Sequence, residues 1–202
     1  MAPSANPFTS ISPTTANQVE DYFANQIDMV LEGGICKAGI ESTIIGFNNN
    51  KVVLYRLGAL PVEAIEKITG TLIVSNKKEK KTITPGMFLK HYAPKTDFIL
   101  TRNVKEELDW YSGKKIGLLL FNEFESDFDP TYQRVLSEEG DLKQAASKLY
   151  EALHELDKMN LEVIIAERFP EYGLGNSIND RLGRASKKDN NITNYLTTEN
   201  EF

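Results

Sequence analysis

The sequence predicts an α/β protein whose C-terminal half holds a mainly parallel sheet. From residue 97 to residue 185, short apolar runs alternate with amphipathic segments of helical spacing. Strands that alternate with helices are typical of a parallel sheet covered by helices on both faces. The 202 residues are 41% hydrophobic and 26% charged, which is ordinary for a globular protein and sufficient to form a core.

Before that alternation, the sequence predicts a loop and one long helix. Residues 1–15 are rich in proline and small polar residues, which favour a loop. Ser12 and Pro13 have the pattern of an N-cap followed by proline at the first helical position. Apolar residues recur every three or four positions as far as Leu31, so we expect a helix with one buried face that ends before Gly33.

A β-hairpin and a short helix are predicted next. Residues 42–47 and 51–57 are rich in β-branched and aromatic residues and are predicted strands, joined by the asparagines at 48–50. Residues 61–68 are predicted to form a short helix, which ends at Gly70.

The chain then changes character and divides into parts. Residues 76–96 combine a basic run with prolines and show no periodicity, so they are predicted to be an interdomain linker. We therefore expect a first domain at 1–75 and a second at 97–202. Because only the second has a complete strand–helix alternation, we expect it to fold alone and the first not to.

The elements of the second domain are predicted in order. Strands are expected at residues 98–101, 115–121, 132–136 and 163–166, and helices at 104–111, 141–159 and 176–185. The longest of these helices has leucines and alanines on one face, and Asp141 with Gln144 at its start resembles a capping box. His154 on that helix is expected to be a surface or structural residue.

Composition excludes several classes of protein. Cys36 is the single cysteine, so neither an internal disulfide nor a cysteine-based zinc site is possible, and we expect it to be a small packed residue. No apolar run approaches the roughly 18 residues of a membrane helix, and residues 1–15 lack a signal-peptide pattern, so we expect a cytoplasmic protein. The net charge of −6 argues against general binding of nucleic acid.

The candidate site combines hydroxyls, an amide and one arginine. Ser4 and Asn6 lie two residues apart, and Ser12 would begin a helix whose unpaired N–H groups favour phosphate. Ser42 begins one predicted strand and Arg56 ends the next, and together these groups could hold a nucleotide and a carboxylate. Each has a simpler explanation alone: an N-cap for Ser12, turn formation for Ser4 and Asn6, and a surface ion pair for Arg56.

Several longer motifs together resemble those of a known family. Residues 2–7, 12–16, 33–34, 39–45 and 56–58, in this order, resemble the second half of the YrdC-like domain. The linker segments 85–87 and 90–94, the latter with sequence Lys-His-Tyr-Ala-Pro, and the C-terminal segments 166–170, 173–175 and 178–182 resemble the Sua5 family. That family comprises two-domain threonylcarbamoyl-AMP synthases, and the resemblance covers nearly the whole chain.

The resemblance implies a fold and an activity. The fold would be the C-terminal part of a YrdC-like α/β domain, a linker and a Rossmann-like three-layer α/β/α Sua5 domain. The enzyme, a nucleotidyltransferase, would convert L-threonine, bicarbonate and ATP, accompanied by Mg²⁺, into threonylcarbamoyl-AMP and pyrophosphate. The product would serve N6-threonylcarbamoyladenosine formation at position 37 of tRNA, with tRNA and the downstream transfer machinery as partners.

The resemblance also implies roles for residues that match the motifs, with no residue assigned to a metal. These roles are catalysis for Ser4 and Asn6; ATP binding for Ser4, Ser12 and Arg56; threonine binding for Ala2 and Ser42; and, for His91 and Tyr92 in the linker, a place near the site. Asn179, Asp180 and Arg181 are expected to cap and to form ion pairs within the C-terminal domain.

One departure from the family pattern bears on activity. The family's Lys-x-Arg pair lies in a segment before the Ser-x-Asn motif, whereas here Met1 directly precedes the motif that contains Ser4. We therefore expect an N-terminally truncated fragment that is inactive without the missing segment. Two alternatives stay open: a non-catalytic RNA-binding YrdC-like module, and a component of a related carbamoyltransferase.

Overall fold

The computed structural model describes residues 4–74 and 91–186, except for the side chain of Asn25. Ala2, most of the predicted linker and the C-terminal tail therefore lie outside the described residues. Within them, the chain is α/β, as predicted, with two separate sheets. None of the helices in these two ranges is both long and apolar enough to cross a membrane.

The first sheet has three strands in the order β1 (Ile44–Asn48), β2 (Lys51–Arg56) and β3 (Ile73–Val74). The first two strands form the predicted antiparallel hairpin, and β3 is parallel to β2. The turn residues Asn49 and Asn50 have φ angles of 48° and 59°, the left-handed conformation that tight hairpin turns require and asparagine tolerates.

The helix between β2 and β3 also matches its prediction. Helix α2 spans Val62–Thr69, with Pro61 as its N-cap residue. Gly70 ends it with a φ of 74°, a conformation that costs glycine little. A small cluster of Leu54, Ile65 and Leu72 joins this helix to β2.

The long helix predicted from Ser12 to Leu31 is wrong at both ends. Helix α1 spans only Ala16–Phe23, and its N-cap is Thr15, whose side chain accepts from the Gln18 N–H. The Ser12 hydroxyl is used in a tertiary hydrogen bond instead, described below. A short 3₁₀ turn, Ala24–Gln26, follows α1, and its first residue has a φ of 39°.

The expected buried face beyond that turn is not formed. Leu31 is 83% exposed, and Ile27 is exposed as well. None of the buried clusters among the described residues includes a residue from 27–35. Cys36, expected to be packed, is also exposed.

The second sheet has four parallel strands, as predicted. They are β4 (Asp97–Thr101), β5 (Ile116–Leu120), β6 (Gln133–Val135) and β7 (Val163–Glu167), in the order β4-β7-β5-β6. Every residue of β5 is buried, as expected of a strand covered on both faces.

Helices cover both faces of this sheet and complete the expected three layers. Helix α3 (Val104–Trp110) packs on the face that carries Leu118. Helices α4 (Leu142–Asp157) and α5 (Leu174–Ala185) pack on the opposite face, which carries Leu119. Because successive residues of a strand point to opposite faces, β5 contributes to both cores.

The first part of the chain packs directly on the second. Ile11, Ile40 and Tyr92 belong to the same buried cluster as the apolar faces of α4 and α5. Gly39 lies so close to α4 that a Cβ atom there would be 2.4 Å from the Ala146 carbonyl oxygen. This contact positions the segment that carries the candidate site.

Candidate functional site

Glu41 binds one predicted site residue, Ser12, and two residues of the C-terminal half, although it was not itself predicted as a site residue. The Ser12 hydroxyl donates to Glu41 Oε1 at 2.7 Å, and the Tyr150 hydroxyl lies 3.1 Å from both carboxylate oxygens. Arg181 Nε donates to Glu41 Oε2 at 3.0 Å. We call these four residues the Glu41 network.

Arg181 enters this network from α5. Its other guanidinium nitrogens donate to the Leu57 carbonyl at 2.7 Å and to Asp180 Oδ2 at 2.8 Å. Its guanidinium carbon lies 5.1 Å from the centre of the Tyr92 ring. Arg181 thus forms the expected ion pair within the C-terminal domain, with Asp180, but two further partners that were not expected, Glu41 and Leu57, lie in the first part of the chain.

The charges of the network are set by burial and by its own partners. Burial alone would raise the pKa of Glu41, but Arg181 and the hydroxyl of Ser12 outweigh it, so this pKa lies below its ordinary value. Burial would lower the pKa of Arg181, but the negative charges of Asp180 and Glu41 raise it, so the guanidinium stays charged. Burial, with the Glu41 charge next, raises the pKa of Tyr150 well above 10, so its hydroxyl keeps its proton and donates.

Arg56 and Ser42, predicted to share a site, lie in direct contact. Arg56 Nε and Nη2 donate to the Ser42 carbonyl at 3.1 and 2.9 Å, and Nη2 lies 3.2 Å from the Ser42 hydroxyl. Their contact follows from the hairpin, since Arg56 ends β2 opposite the start of β1.

A close backbone approach holds the two ends of this hairpin. A Cβ atom on Gly58 would lie 2.2 Å from the Thr43 nitrogen, so only glycine fits there. The Ala59 N–H donates to the Glu41 carbonyl at 2.9 Å, and the Ser177 hydroxyl of α5 donates to the Gly58 carbonyl at 2.8 Å. Residues 41–43 and 56–59 are thus fixed against each other and against α5.

The end of the linker returns to the N-terminal loop. The Ala93 N–H donates to the Thr9 carbonyl at 3.0 Å, and Ser10 and Ala93 form a single parallel β-bridge. The His91 N–H donates to the Arg184 carbonyl at 3.3 Å. This places His91 beside the loop that begins with the Ser-x-Asn motif, and its ring lies 6.2 Å from that of Phe8.

Two buried polar atoms near this bridge have no hydrogen-bond partner among the described residues. They are Asn6 Oδ1 and His91 Nδ1. The Asn6 Nδ2 atom is bound to the carbonyls of Pro7 and Ser10, which leaves the amide oxygen as an acceptor. Buried polar atoms are normally paired, so both atoms are suited to binding a ligand.

The other predicted residues offer less to a ligand. Ser4 is exposed, and the Ser12 hydroxyl proton is already used by Glu41. His154 is buried and structural, with its Nε2 atom 3.3 Å from the Ser12 carbonyl. Among the described residues, no group of three or more His, Cys, Asp or Glu side chains could hold a metal ion.

Two surface cavities lie in the C-terminal half, away from these residues. The larger, of about 440 Å³, lies at the carboxyl ends of β4, β5 and β7 and is lined by residues that include Arg102, Lys105 and Glu167. The smaller, of about 160 Å³, lies beside Tyr111 and Glu162. Neither is lined by a predicted site residue, so neither defines the candidate site.

The Glu41 network itself could not have been predicted from spacing alone. Glu41 and Arg181 are 140 residues apart, and neither shows a periodicity that reports their contact. The available signal was the position of Glu41 inside the 39–45 motif, directly before Ser42.

Comparison with known proteins links these features to one family. A family model described as "Threonylcarbamoyl-AMP synthase, C-terminal domain" matches residues 60–187. A second model, of the Sua5/YciO/YrdC family and described as "Telomere recombination", matches residues 1–58.

Curated relatives agree with the family models. The threonylcarbamoyl-AMP synthase of Pyrococcus abyssi is 32% identical over 199 residues, which cover 92% of this chain and 57% of the relative. That of Bacillus subtilis is 31% identical over 194 residues, covering 92% of this chain and 56% of the relative. The chain thus spans little more than half the length of these relatives.

Solved structures give the same result. The crystal structure of P. abyssi Sua5 complexed with L-threonine matches with a TM-score of 0.78 and 32% identity, over 92% of this chain and 57% of that one. A variant of the same protein matches with a TM-score of 0.76. Together with the fold and the C-terminal match, these findings show that the chain belongs to the Sua5 family of threonylcarbamoyl-AMP synthases.

Proposed function

We propose that this chain supplies part of an L-threonylcarbamoyladenylate synthase. The observation that carries the proposal is the contact of Arg56 with Ser42 beside the Glu41 network, in a chain that resembles a protein crystallised with L-threonine. The proposal includes a division of the chain into a first domain at residues 1–75, a linker at 76–96 and a second domain at 97–202. It also includes tRNA and the downstream transfer machinery as partners.

The proposed reaction needs positioning and charge neutralisation more than a protein nucleophile. The threonine amine and bicarbonate combine into a carbamate with loss of water. A carbamate oxygen then attacks the α-phosphorus of ATP, and pyrophosphate leaves with the electrons of the broken P–O bond. Mg²⁺ would arrive with the phosphates.

The chain's own residues would hold the substrates. Arg56 would bind a phosphate, and Ser42 would bind threonine next to it. Asn6 Oδ1 and His91 Nδ1, both without a partner among the described residues, would accept hydrogen bonds from the substrates. Roles for Ala2, Ser4, Ser12 and Tyr92 in the same site belong to the proposal on the strength of the motif match alone.

Pyrophosphate release tests the proposal. The assay uses ATP, threonine and bicarbonate, with the chain alone and with a chimera that carries the family's Lys-x-Arg segment before residue 1. We expect release by the chimera that depends on all three substrates, and little by the chain alone. Absence of release from a folded chimera would contradict the proposed function. Near-normal release by the chain alone would show that the required cations lie within these 202 residues.

Two matched arginines test the phosphate role in that chimera. Arg56→Ala should weaken ATP binding about tenfold or more, since a hydrogen bond to a charged group contributes about 1.5–3 kcal/mol. Arg102→Ala should leave it unchanged, because Arg102 pairs with Glu171 in the C-terminal half. Equal ATP affinities of the two variants by calorimetry would remove Arg56 from the site.

The Ser42→Ala variant tests the threonine role. Ser42→Ala should raise the threonine concentration needed for half-maximal rate, because a charged substrate group loses one hydrogen bond worth about 1–3 kcal/mol. Its effect on ATP affinity should be smaller. If initial rates showed that only the ATP dependence changes, the roles of Ser42 and Ser12 would be exchanged.

A further inference from the structure

We propose that Arg181, on helix α5, is a positioning residue for the substrate site on the first part of the chain. The inference rests on the proposed function for what the site binds. In structural terms, the Arg181 side chain of the C-terminal half sets the geometry of residues 41–43 and 56–58.

The three guanidinium nitrogens of Arg181 have three different partners. Nε donates to Glu41, Nη2 to the Leu57 carbonyl and Nη1 to Asp180. Glu41 directly precedes Ser42, and Leu57 directly follows Arg56. The rigid planar fork of arginine therefore fixes, from one point on α5, the neighbours of both proposed substrate-binding residues.

Because Arg181 is buried, its guanidinium depends on these protein partners. The side chain of Arg181 has no exposed area, and that of Glu41 is 17% exposed. Tyr92 covers the guanidinium on one side and stacks on Tyr150, with 5.8 Å between the ring centres. A buried charge needs its partners in place, so a displaced Glu41 or Leu57 would not be compensated by water.

Glu41 links Arg181 to a third residue, Ser12. Its Oε2 atom accepts from Arg181, and its Oε1 atom accepts from the Ser12 hydroxyl. A shift of the carboxylate therefore moves the hydrogen-bond partner of Ser12 as well. In this way Arg181 acts on the site through Glu41 and Leu57 and need not touch the substrate.

Arg184 offers a matched control on the same helix. It is also buried, and its Nε and Nη2 atoms donate to Asp180 at 2.9 Å each. Both arginines thus share one carboxylate within α5. If the buried cations of α5 served only the stability of the C-terminal half, lysine at either position would have the same consequences.

Hydrogen exchange in the full chain separates the two roles. The reporters are the N–H groups of Ala59 and Leu60, which donate to the Glu41 carbonyl and to the Thr43 hydroxyl oxygen at 2.9 and 3.1 Å. Arg181→Lys keeps the charge but cannot reach three partners, so these amides should exchange about tenfold faster. In Arg184→Lys they should exchange within twofold of wild type. Residues 116–120 should be equally protected in both variants.

A second variant guards against misfolding of Arg181→Lys. Glu41→Gln leaves α5 intact but removes the ionic partner from the other side, and it should accelerate the same two amides. Equal exchange of Ala59 and Leu60 in all three variants and wild type would overturn the proposal, as would equal acceleration by Arg181→Lys and Arg184→Lys.

Binding of ATP then separates this proposal from the proposed function. In the chimera, Arg181→Lys should weaken ATP binding about tenfold and Arg184→Lys less than twofold. Because Ser12 is coupled to Arg181 through Glu41, Ser12→Ala should add little in the Arg181→Lys background and its full effect in Arg184→Lys. Absence of ATP binding by the unmutated chimera would contradict the proposed function, while the exchange rates would still decide the role of Arg181.

Discussion

The two halves of the described chain bury their apolar residues very differently. Residues 97–186 place a four-stranded sheet between helices and form cores on both of its faces. In residues 4–74, the cluster under the three-stranded sheet has only three buried residues. Most of the exposed large apolar side chains lie in this first half, namely Phe8, Ile27, Met29, Leu31, Ile35, Ile45, Phe47, Leu60, Ile68, Ile73 and Val74.

This difference shows where the candidate site obtains its rigidity. Ile11 and Ile40 are buried, but they are buried against α4 and α5 and not against the first sheet. Glu41 likewise finds its charged partner on α5. The proposed substrate residues therefore lie on the sparsely packed half and are positioned by the densely packed one.

The largest effect should come from core truncation in the dense half. Leu119→Ala removes a fully buried side chain of β5 and should lower the free energy of unfolding by about 2–5 kcal/mol. The same substitution at Leu31, which is 83% exposed, should change it by less than about 0.5 kcal/mol. Urea unfolding of the two variants measures both, and equal losses would break the comparison.

The next effect should come from the close approach at Gly58. In Gly58→Ala the new Cβ would lie 2.2 Å from the Thr43 nitrogen and 2.3 Å from the Ser42 carbonyl carbon. Relieving that overlap should cost about 1–3 kcal/mol of stability and displace Ser42. Gly33→Ala is the control, because nothing lies within 4 Å of a Cβ there. Indistinguishable thermal unfolding of the two variants would show that the hairpin ends are not held as described.

A smaller, pH-dependent effect should come from Glu41. Its pKa is lowered in the folded chain, so its stabilisation is fully present above about 4.5 and is lost as the pH falls through the lower folded value. Glu41→Gln should flatten the stability profile in this acidic range. Burial also lowers the pKa values of His91 and His154, so the stabilisation that these neutral histidines contribute is lost as the pH falls below 6.5. This loss should persist in the variant. Parallel profiles of variant and wild type below pH 4.5 would contradict the assigned charge state.

The smallest effect should come from a surface ion pair between the halves. Lys158, after α4, pairs with Asp21 of α1, but their side chains are 60% and 50% exposed. Lys158→Ala should therefore change the free energy of unfolding by less than about 1 kcal/mol. A double-mutant cycle with Asp21→Asn checks this, and a larger coupling would mean that surface charges join the halves as much as Glu41 does.

Local patterns predicted the fold well where neighbours in sequence decide the structure. The asparagine turn of the hairpin, the Gly70 cap of α2 and the strand–helix alternation after Asp97 all depend on adjacent residues. Helix α1 was predicted too long because a contact across 29 residues, from Ser12 to Glu41, took the expected cap. The apolar spacing as far as Leu31 could not reveal that no core faces it.

The candidate site was predictable in part for the same reason. Ser42 and Arg56 belong to one hairpin, so their proximity followed from its register. The Arg181–Glu41 pair joins positions 140 residues apart, and no single-sequence pattern encodes such a contact. The Asn-Asp-Arg motif showed only that Arg181 was of interest, and its partners had to come from the structure.

Native-state hydrogen exchange on the unmodified chain tests most directly whether the dense half positions the site. The N–H groups of Ala59 and Ala93 donate to the carbonyl oxygens of Glu41 and Thr9. These acceptors belong to the two backbone segments that pack on the C-terminal half. They should exchange at rates close to those of residues 116–120, while the β1–β2 ladder over residues 44–56 exchanges faster. If that ladder instead exchanged more slowly than Ala59 and Ala93, the first sheet would be the rigid element, and the site would be ordered by its own half.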